Sequence, residues 1–135
     1  MKLKTVLFAI LFSLTAVAGS FAQPVTGKEK NGPLISFSET EYDFGTVRTG
    51  DEAVHYFVFS NTGNAPLAIV NVRASCGCMA SEWTKKPVVT GGRDSLRIEY
   101  NTKIKGSFNK TISVQSNAEN GDIELKIRGS VVKSR

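Results

Sequence analysis

Three runs in the second half of the sequence alternate apolar and polar residues with a period of two. Leu96, Ile98 and Tyr100 alternate with Ser95, Arg97 and Glu99; Ile112 and Val114 alternate with Thr111, Ser113 and Gln115; Ile123, Leu125 and Ile127 alternate with Glu124, Lys126 and Arg128. Successive side chains of a strand point to opposite faces, so each run is a strand with one dry and one wet face. Turn residues punctuate the pattern at Asn61-Thr62-Gly63-Asn64, at Gly91-Gly92 and over residues 117–121. Beyond residue 22 no stretch sustains a helical period. Seven strands are expected, over residues 34–38, 42–47, 52–60, 66–73, 94–101, 109–117 and 122–132. Antiparallel strands with one dry face each must bury those faces against a second sheet. An all-β antiparallel sandwich satisfies that requirement.

The N-terminus obeys a different rule. Lys2 and Lys4 precede an apolar run over residues 6–18, which closes in Gly19-Ser20-Phe21-Ala22-Gln23 with small residues at Ser20 and Ala22. Cations, an apolar run and a small-residue site together make a secretory signal peptide over residues 1–22, cleaved near Ala22. As a membrane anchor the run falls short of the ~20 residues that span a bilayer. No cysteine lies near the cleavage site to carry a lipid, and no second apolar run follows, so no membrane span is expected after cleavage. Of 135 residues, 113 then remain once 22 are removed, enough for one domain with its own core. Residues 23–33 are polar, carry two glycines and two prolines, and are expected to be a flexible leader; residues 34–132 are the domain. Of 17 basic side chains, the signal takes Lys2 and Lys4; the remaining 15 against 12 acidic ones give a net charge of +3. That balance suits a dissolved domain and excludes a nucleic-acid footprint.

Strand 52–60 departs from simple alternation. His55, Phe57 and Phe59 make one face, while Val54, Tyr56 and Val58 make the other, so both faces are apolar. One must be core. The second is either covered by a loop or a candidate interaction face.

Several stretches together resemble a known family. They are Tyr42-Asp43-Phe44-Gly45-Thr46-Val47, then residues 55–63 (HYFVFSNTG), then Pro66-Leu67-Ala68-Ile69, and Ser75-Cys76-Gly77-Cys78 followed by Trp83 and Pro87. The combination is similar to the bacterial exported domain-of-unknown-function 1573 family, across about residues 34–132. One departure is Thr90-Gly91-Gly92, where the family more often has a Pro-Gly turn. The resemblance implies an immunoglobulin-like fold, similar to Hydin-type and PapD-like domains, and an exported location. It implies no reaction.

The C-x-C motif Cys76-Gly77-Cys78 is the most informative local feature. An exported chain meets oxidising conditions, so a cysteine pair is expected to be oxidised or metal-bound. Glycine between the cysteines permits backbone angles closed to other residues, and a turn there brings the sulfurs together. Three readings stand: a structural disulfide, a redox or intermolecular disulfide pair, and a soft-metal site for Cu(I) with Met79 or His55 beside the thiolates. A lone pair lacks the second pair that defines a zinc site.

The remaining candidates are weaker. His55 is the only histidine, and its place beside Phe57 and Phe59 suits a hydrogen-bonded core residue; as a base it would need an orienting carboxylate and a nucleophile. Glu39, Glu41 and Asp43 recur every second residue, as paired carboxylates for glycosidase chemistry would, or as charges on an edge strand. Lys85, Lys86, Lys103, Lys105 and Lys110 read as a solvated basic face. Asn109-Lys110-Thr111 matches a glycosylation sequon that a bacterial source would leave idle. No complete catalytic constellation emerges, and no cofactor is called for. The function expected is a non-catalytic immunoglobulin-like structural or interaction module, exported to the periplasm or the exterior, with a protein partner in the cell envelope. The alternative is a thiol-based site at Cys76 and Cys78, for disulfide exchange or Cu(I) handling.

Overall fold

The computed structural model describes Gly19 and residues 31–135. The expected signal peptide (Gly19 aside) and residues 23–30 of the expected leader lie outside the described residues. Among the described residues no helix is long and apolar enough to cross a membrane.

Among the described residues eight strands form two four-stranded sheets. They are β1 (Ile35–Phe37), β2 (Glu41–Arg48), β3 (Ala53–Asn61), β4 (Ile69–Ala74), β5 (Met79–Glu82), β6 (Arg93–Tyr100), β7 (Gly106–Ser116) and β8 (Ile123–Val132). One sheet has the order β1-β3-β6-β5 and the other β2-β8-β7-β4. The chain enters the first sheet as β1, crosses over residues 38–40 and continues in the second as β2. It leaves that sheet after β4 and returns through residues 75–78 as β5. These two crossings close the two open sides of an immunoglobulin-like sandwich, whose first strand is split between the sheets.

Three expectations are corrected. There are eight strands, because Met79–Glu82 pairs with Arg97–Tyr100 of β6 as a sheet edge. The sandwich is also not wholly antiparallel, since β2 runs parallel to β8. A chain that changes sheets without reversing direction must meet the last strand in parallel. Within that pair the register shifts between Asp43 and Thr46, at Gly45 with φ +66°. Residues 31–33, read as leader, belong to the domain: Gly32 and Pro33 are buried, Gly32 exchanges hydrogen bonds with Asn64, and the Pro33 carbonyl accepts from Glu119 N–H at 2.8 Å.

The core follows the alternation. Leu96, Ile98 and Tyr100 of β6 face Ile112 and Val114 of β7 and Leu125 and Ile127 of β8, all buried, with Phe57 and Phe59 of β3. Tyr100 and Phe108 stack across the sandwich at 3.8 Å between ring centroids. Burying one such side chain contributes about 1.5–3 kcal/mol, so these rows decide the register of both sheets. Strand β4 begins at Ile69, later than expected, because Pro66 has no N–H to donate. Leu67 is nonetheless fully buried, and exchanges both backbone hydrogen bonds with Val88.

At one end of the sandwich, asparagines replace strand pairing. Asn61 is fully buried, and its Nδ2 donates to the carbonyls of Ala65 (2.7 Å) and Val88 (2.9 Å). Its Oδ1 accepts from the N–H groups of Gly63 and Leu34. Asn120 holds Ile35 through both its N–H and its C=O, and Asn117 bridges Ala68 and Pro66 in the same manner. The side-chain amides of these three asparagines are all paired with backbone groups, which is how loops rather than strands close that end.

Candidate functional site

The two faces of β3 have separate fates. Ala53, Phe57 and Phe59 enter the core, with His55 half-buried beside them, while Val54, Tyr56 and Val58 turn to the outside of their sheet. Tyr56 is 53% exposed and Val58 37%, and Val54 is half-buried, so among the described residues no loop covers the apolar face. Across the ladder Tyr56 stands opposite Arg97, Val58 opposite Ser95 and Val54 opposite Glu99. Arg97 donates to the Glu99 carboxylate at 3.0 Å and lies 3.9 Å from that of Glu52. The hydrogen bond to the Glu99 carboxylate raises Arg97 above the ordinary guanidinium range, so it stays charged. The result is an apolar, aromatic centre beside a fixed cation, rimmed by carboxylates.

The structure joins Cys76 and Cys78 in a disulfide, with Cα atoms 5.3 Å apart. It sits in the four-residue crossing from β4 to β5. Ser75 N–H fastens that crossing to the Thr111 carbonyl, and the Cys78 carbonyl accepts from Asn101 N–H. Cys78 is 8% exposed and belongs to the core, whereas Cys76 is half-buried and Gly77 is exposed. Cys78 N–H donates to Cys76 Sγ at 3.4 Å. Gly77 does not take the backbone angle that its place between cysteines led one to expect, for its φ is not positive.

The metal candidates are not gathered. Among the described residues no group of three or more His, Cys, Asp or Glu side chains is arranged to hold an ion. Met79 lies opposite Tyr100 and His55 opposite Ile98 on two strands separated by β6, so they stand roughly 10 Å apart or more. Joined in the disulfide, the cysteines have no thiolate to offer a metal.

His55 has a carboxylate partner after all. Its Nε2 is hydrogen-bonded to Glu39 Oε1, its ring stacks on Tyr42 at 3.6 Å, and Phe57 meets it edge-on at 4.8 Å. Among the described residues no Ser or Cys side chain hydrogen-bonds it, so the arrangement lacks a nucleophile. It ties β3 to the crossing before β2 and to β2 itself, a structural use for an amphipathic ring.

The acidic row is divided. Glu39 serves His55, Glu41 is exposed, and Asp43 takes Gly45 N–H at 2.8 Å and Arg128 at 3.2 Å. The Gly45 hydrogen bond, and then Arg128, hold the Asp43 carboxyl below the usual carboxylate range. Strand β2 is an edge of its sheet, where such charges discourage pairing with a second sheet. Lys86, Lys103 and Lys105 are exposed, and Lys85 places its ammonium 3.4 Å over the Trp83 ring. Asn109 is exposed and paired in register with Arg128.

Sequence reasoning located the turn of the cysteine pair and the double-faced strand, and missed Asn61. The signal available was its position, one residue after the phenylalanine-rich run and two before Gly63. There an asparagine carbonyl accepts the N–H two residues on.

Residues 35–131 match the model of a family described as a protein of unknown function, DUF1573. The chain belongs to the DUF1573 family. Among solved structures, this DUF1573 domain is similar to a protein of unknown function from Porphyromonas gingivalis W83, at 18% identity and TM-score 0.67. That match covers 76% of this chain and 48% of that one. The chain thus spans about half the length of that protein. The domain is also similar to the ASH/PapD-like domain 7 of human CEP192, at 8% identity and TM-score 0.64, over 75% of this chain and 87% of that one. A third likeness is to the Pseudomonas aeruginosa CupB2 chaperone, at 12% identity and TM-score 0.52, over 71% of this chain and 55% of that one. Among curated proteins none matches the chain. At these identities the likenesses show the fold alone, an immunoglobulin-like and PapD-like sandwich, and none of these findings indicates a catalytic function for the DUF1573 domain.

Proposed function

We propose that this DUF1573 domain is an exported, non-catalytic protein-binding module that engages a protein of the cell envelope through the outer face of the β1-β3-β6-β5 sheet. The observation that carries the reading is the exposed Tyr56 and Val58 beside Arg97, on a sheet face that no element among the described residues covers. Tyrosine and arginine are the residue types that anchor protein interfaces, at the centre of an apolar patch with a polar rim. Glu52 and Glu99 supply that rim here. The partner that fits presents an apolar centre flanked by basic side chains, to meet the two carboxylates.

A Tyr56→Ser/Val58→Ser double variant tests the reading. Both side chains point away from the core, so the variant keeps a melting temperature within a few degrees of the parent. It loses capture of the envelope partner in a cross-linked pull-down that compares parent and variant side by side. Equal capture by the two proteins removes this face from the function. Unfolding of the variant assigns the face to the core instead.

Export has its own measurement. The cell-envelope fraction is expected to contain a form whose intact mass begins at or next to Gln23. A full-length product confined to the cytoplasm overturns the exported location.

A further inference from the structure

We infer that Cys76–Cys78 is a thiol–disulfide exchange site for an extended, cysteine-bearing polypeptide, with Cys76 as the sulfur that meets the partner and Cys78 as the one that closes the ring. Three observations converge on it.

The two sulfurs are unequal. Cys78 is packed in the core and Cys76 is half-buried at the surface, next to an exposed Gly77 whose Cβ position is empty to 4 Å. A partner backbone can therefore approach Cys76 over the glycine. Exchange depends on which sulfur an incoming thiolate can reach, and the exposure assigns that role to Cys76.

The same sulfur has a built-in donor. Cys78 N–H points at Cys76 Sγ, at 3.4 Å. When the mixed disulfide is resolved and Cys76 is released, the negative charge on its sulfur is received by that N–H, which favours the thiolate form.

There is also a place for a polypeptide beside it. An open cavity of about 280 Å³, lined by Gly77, Cys78, Met79, Ala80, Glu99 and Asn101, adjoins the disulfide. Strand β5 begins directly after Cys78 and is an edge of its sheet, so among the described residues no strand pairs with its outer backbone groups, and an added strand can. Strand addition binds extended chains through main-chain hydrogen bonds, with alternate side chains of the added strand giving specificity. It would carry a partner cysteine along Met79–Glu82 toward Cys76.

The chemistry balances within the two partners. From the oxidised state, a partner thiolate attacks Cys76 Sγ; the Cys76–Cys78 bond breaks, and Cys78 leaves with the bonding pair and takes a proton from solvent. A second partner thiolate then attacks the partner sulfur of the mixed disulfide and releases Cys76 as a thiolate facing Cys78 N–H. Two electrons pass from the partner's dithiol, which becomes a disulfide, to the cysteine pair, which becomes a dithiol. Run backwards, the same steps reduce a partner disulfide.

The full exported chain, reduced and freed of reductant, provides the test. With limiting iodoacetamide, Cys76 is expected to be alkylated roughly tenfold faster than Cys78, as read by peptide mass spectrometry. Equal labelling, or faster labelling of Cys78, overturns the assignment. A second measurement uses Cys78→Ala and Cys76→Ala, each mixed with an extended synthetic peptide whose single cysteine is held as a thionitrobenzoate disulfide. The Cys78→Ala protein is expected to form the mixed disulfide faster with this peptide than with the same disulfide of free cysteine. The Cys76→Ala protein and the urea-unfolded parent show no such preference for the peptide. Loss of the preference in folded Cys78→Ala overturns the strand-docking part. Should that variant not fold, the alkylation order in the parent decides. Tyr56 and Val58 take no part in either measurement, so this site and the protein-binding face fail independently.

Discussion

Asn61→Ala lowers the melting temperature by at least about 12 °C, although it removes a single polar side chain from a loop-strand junction. Asn61 is fully buried and its amide makes four hydrogen bonds to backbone groups that lie outside the eight strands. Of its partners, Val88 C=O keeps a second donor, Leu67 N–H at 2.9 Å. Ala65 C=O, Gly63 N–H and Leu34 N–H lose the Asn61 bond. These three groups belong to half-buried residues, so each is taken at the low end of the about 1–3 kcal/mol that a stripped buried group costs; with a small cavity added they give about 3–5 kcal/mol. For a domain of this size 1 kcal/mol moves the midpoint by about 4–8 °C. Thermal unfolding of the full chain, followed by circular dichroism, measures the shift. A change under about 4 °C would show that water replaces the amide at no cost. Asn61→Asp sharpens the comparison. It keeps an acceptor for Gly63 and Leu34 but turns a second acceptor toward the Ala65 and Val88 carbonyls. Its carboxyl is therefore pushed up in the folded state, which binds the proton more tightly than the unfolded chain does. The stability lost at neutral pH is recovered as pH falls, because the protonated acid supplies an O–H donor again.

How far the sequence reaches can be judged from such particulars. Strands β6, β7 and β8 were legible because each buries a period-two row, and a one-residue slip would expose all of it. The double-faced β3 was legible for the same reason, as a second apolar row with no polar alternative. Strand β5 was not. It is four residues long, and what makes it a strand is the ladder it forms with β6, a contact between distant segments. The parallel pairing of β2 with β8 was hidden likewise, since a local pattern gives a strand its faces but not the direction of its neighbour. At the candidate exchange site the sequence showed two cysteines around a glycine and left three chemistries open. Their unequal burial comes from the crossing between sheets, which presses Cys78 into the core and leaves Cys76 at the rim. Asn61 read as the start of a turn because asparagine favours turns. Its burial depends also on Val88, 27 residues along the chain, whose carbonyl no local pattern places beside it.

Two glycines invert the importance that their sequence contexts suggest. Gly77, between the cysteines, invites the expectation that only glycine fits there, yet its φ is not positive and a Cβ would meet nothing within 4 Å. Gly77→Ala is therefore expected to leave the melting temperature within a few degrees of the parent and the disulfide intact. Gly63 sits in an ordinary-looking Asn-Thr-Gly-Asn turn and also has no positive φ. Its Cβ, however, would be forced against the Gly32 carbonyl oxygen, and would lie 2.5 Å from Leu34 N and 2.8 Å from Pro33 C. These are backbone atoms of the segment that enters β1, and they cannot rotate aside as a side chain would. The methyl group must expel that segment. With it go the hydrogen bonds of Gly32 to Asn64, of Thr62 N–H to the Leu34 carbonyl at 3.0 Å, and of Leu34 N–H to Asn61. Overpacking alone costs about 1–3 kcal/mol, and the severed bonds add about 1 kcal/mol each. Gly63→Ala is thus expected to lower the midpoint by at least about 15 °C. It should also render residues 31–37 sensitive to limited proteolysis while β6, β7 and β8 stay protected. Equal, small effects of the two substitutions would mean that the N-terminal segment is not packed beneath the turn at Gly63.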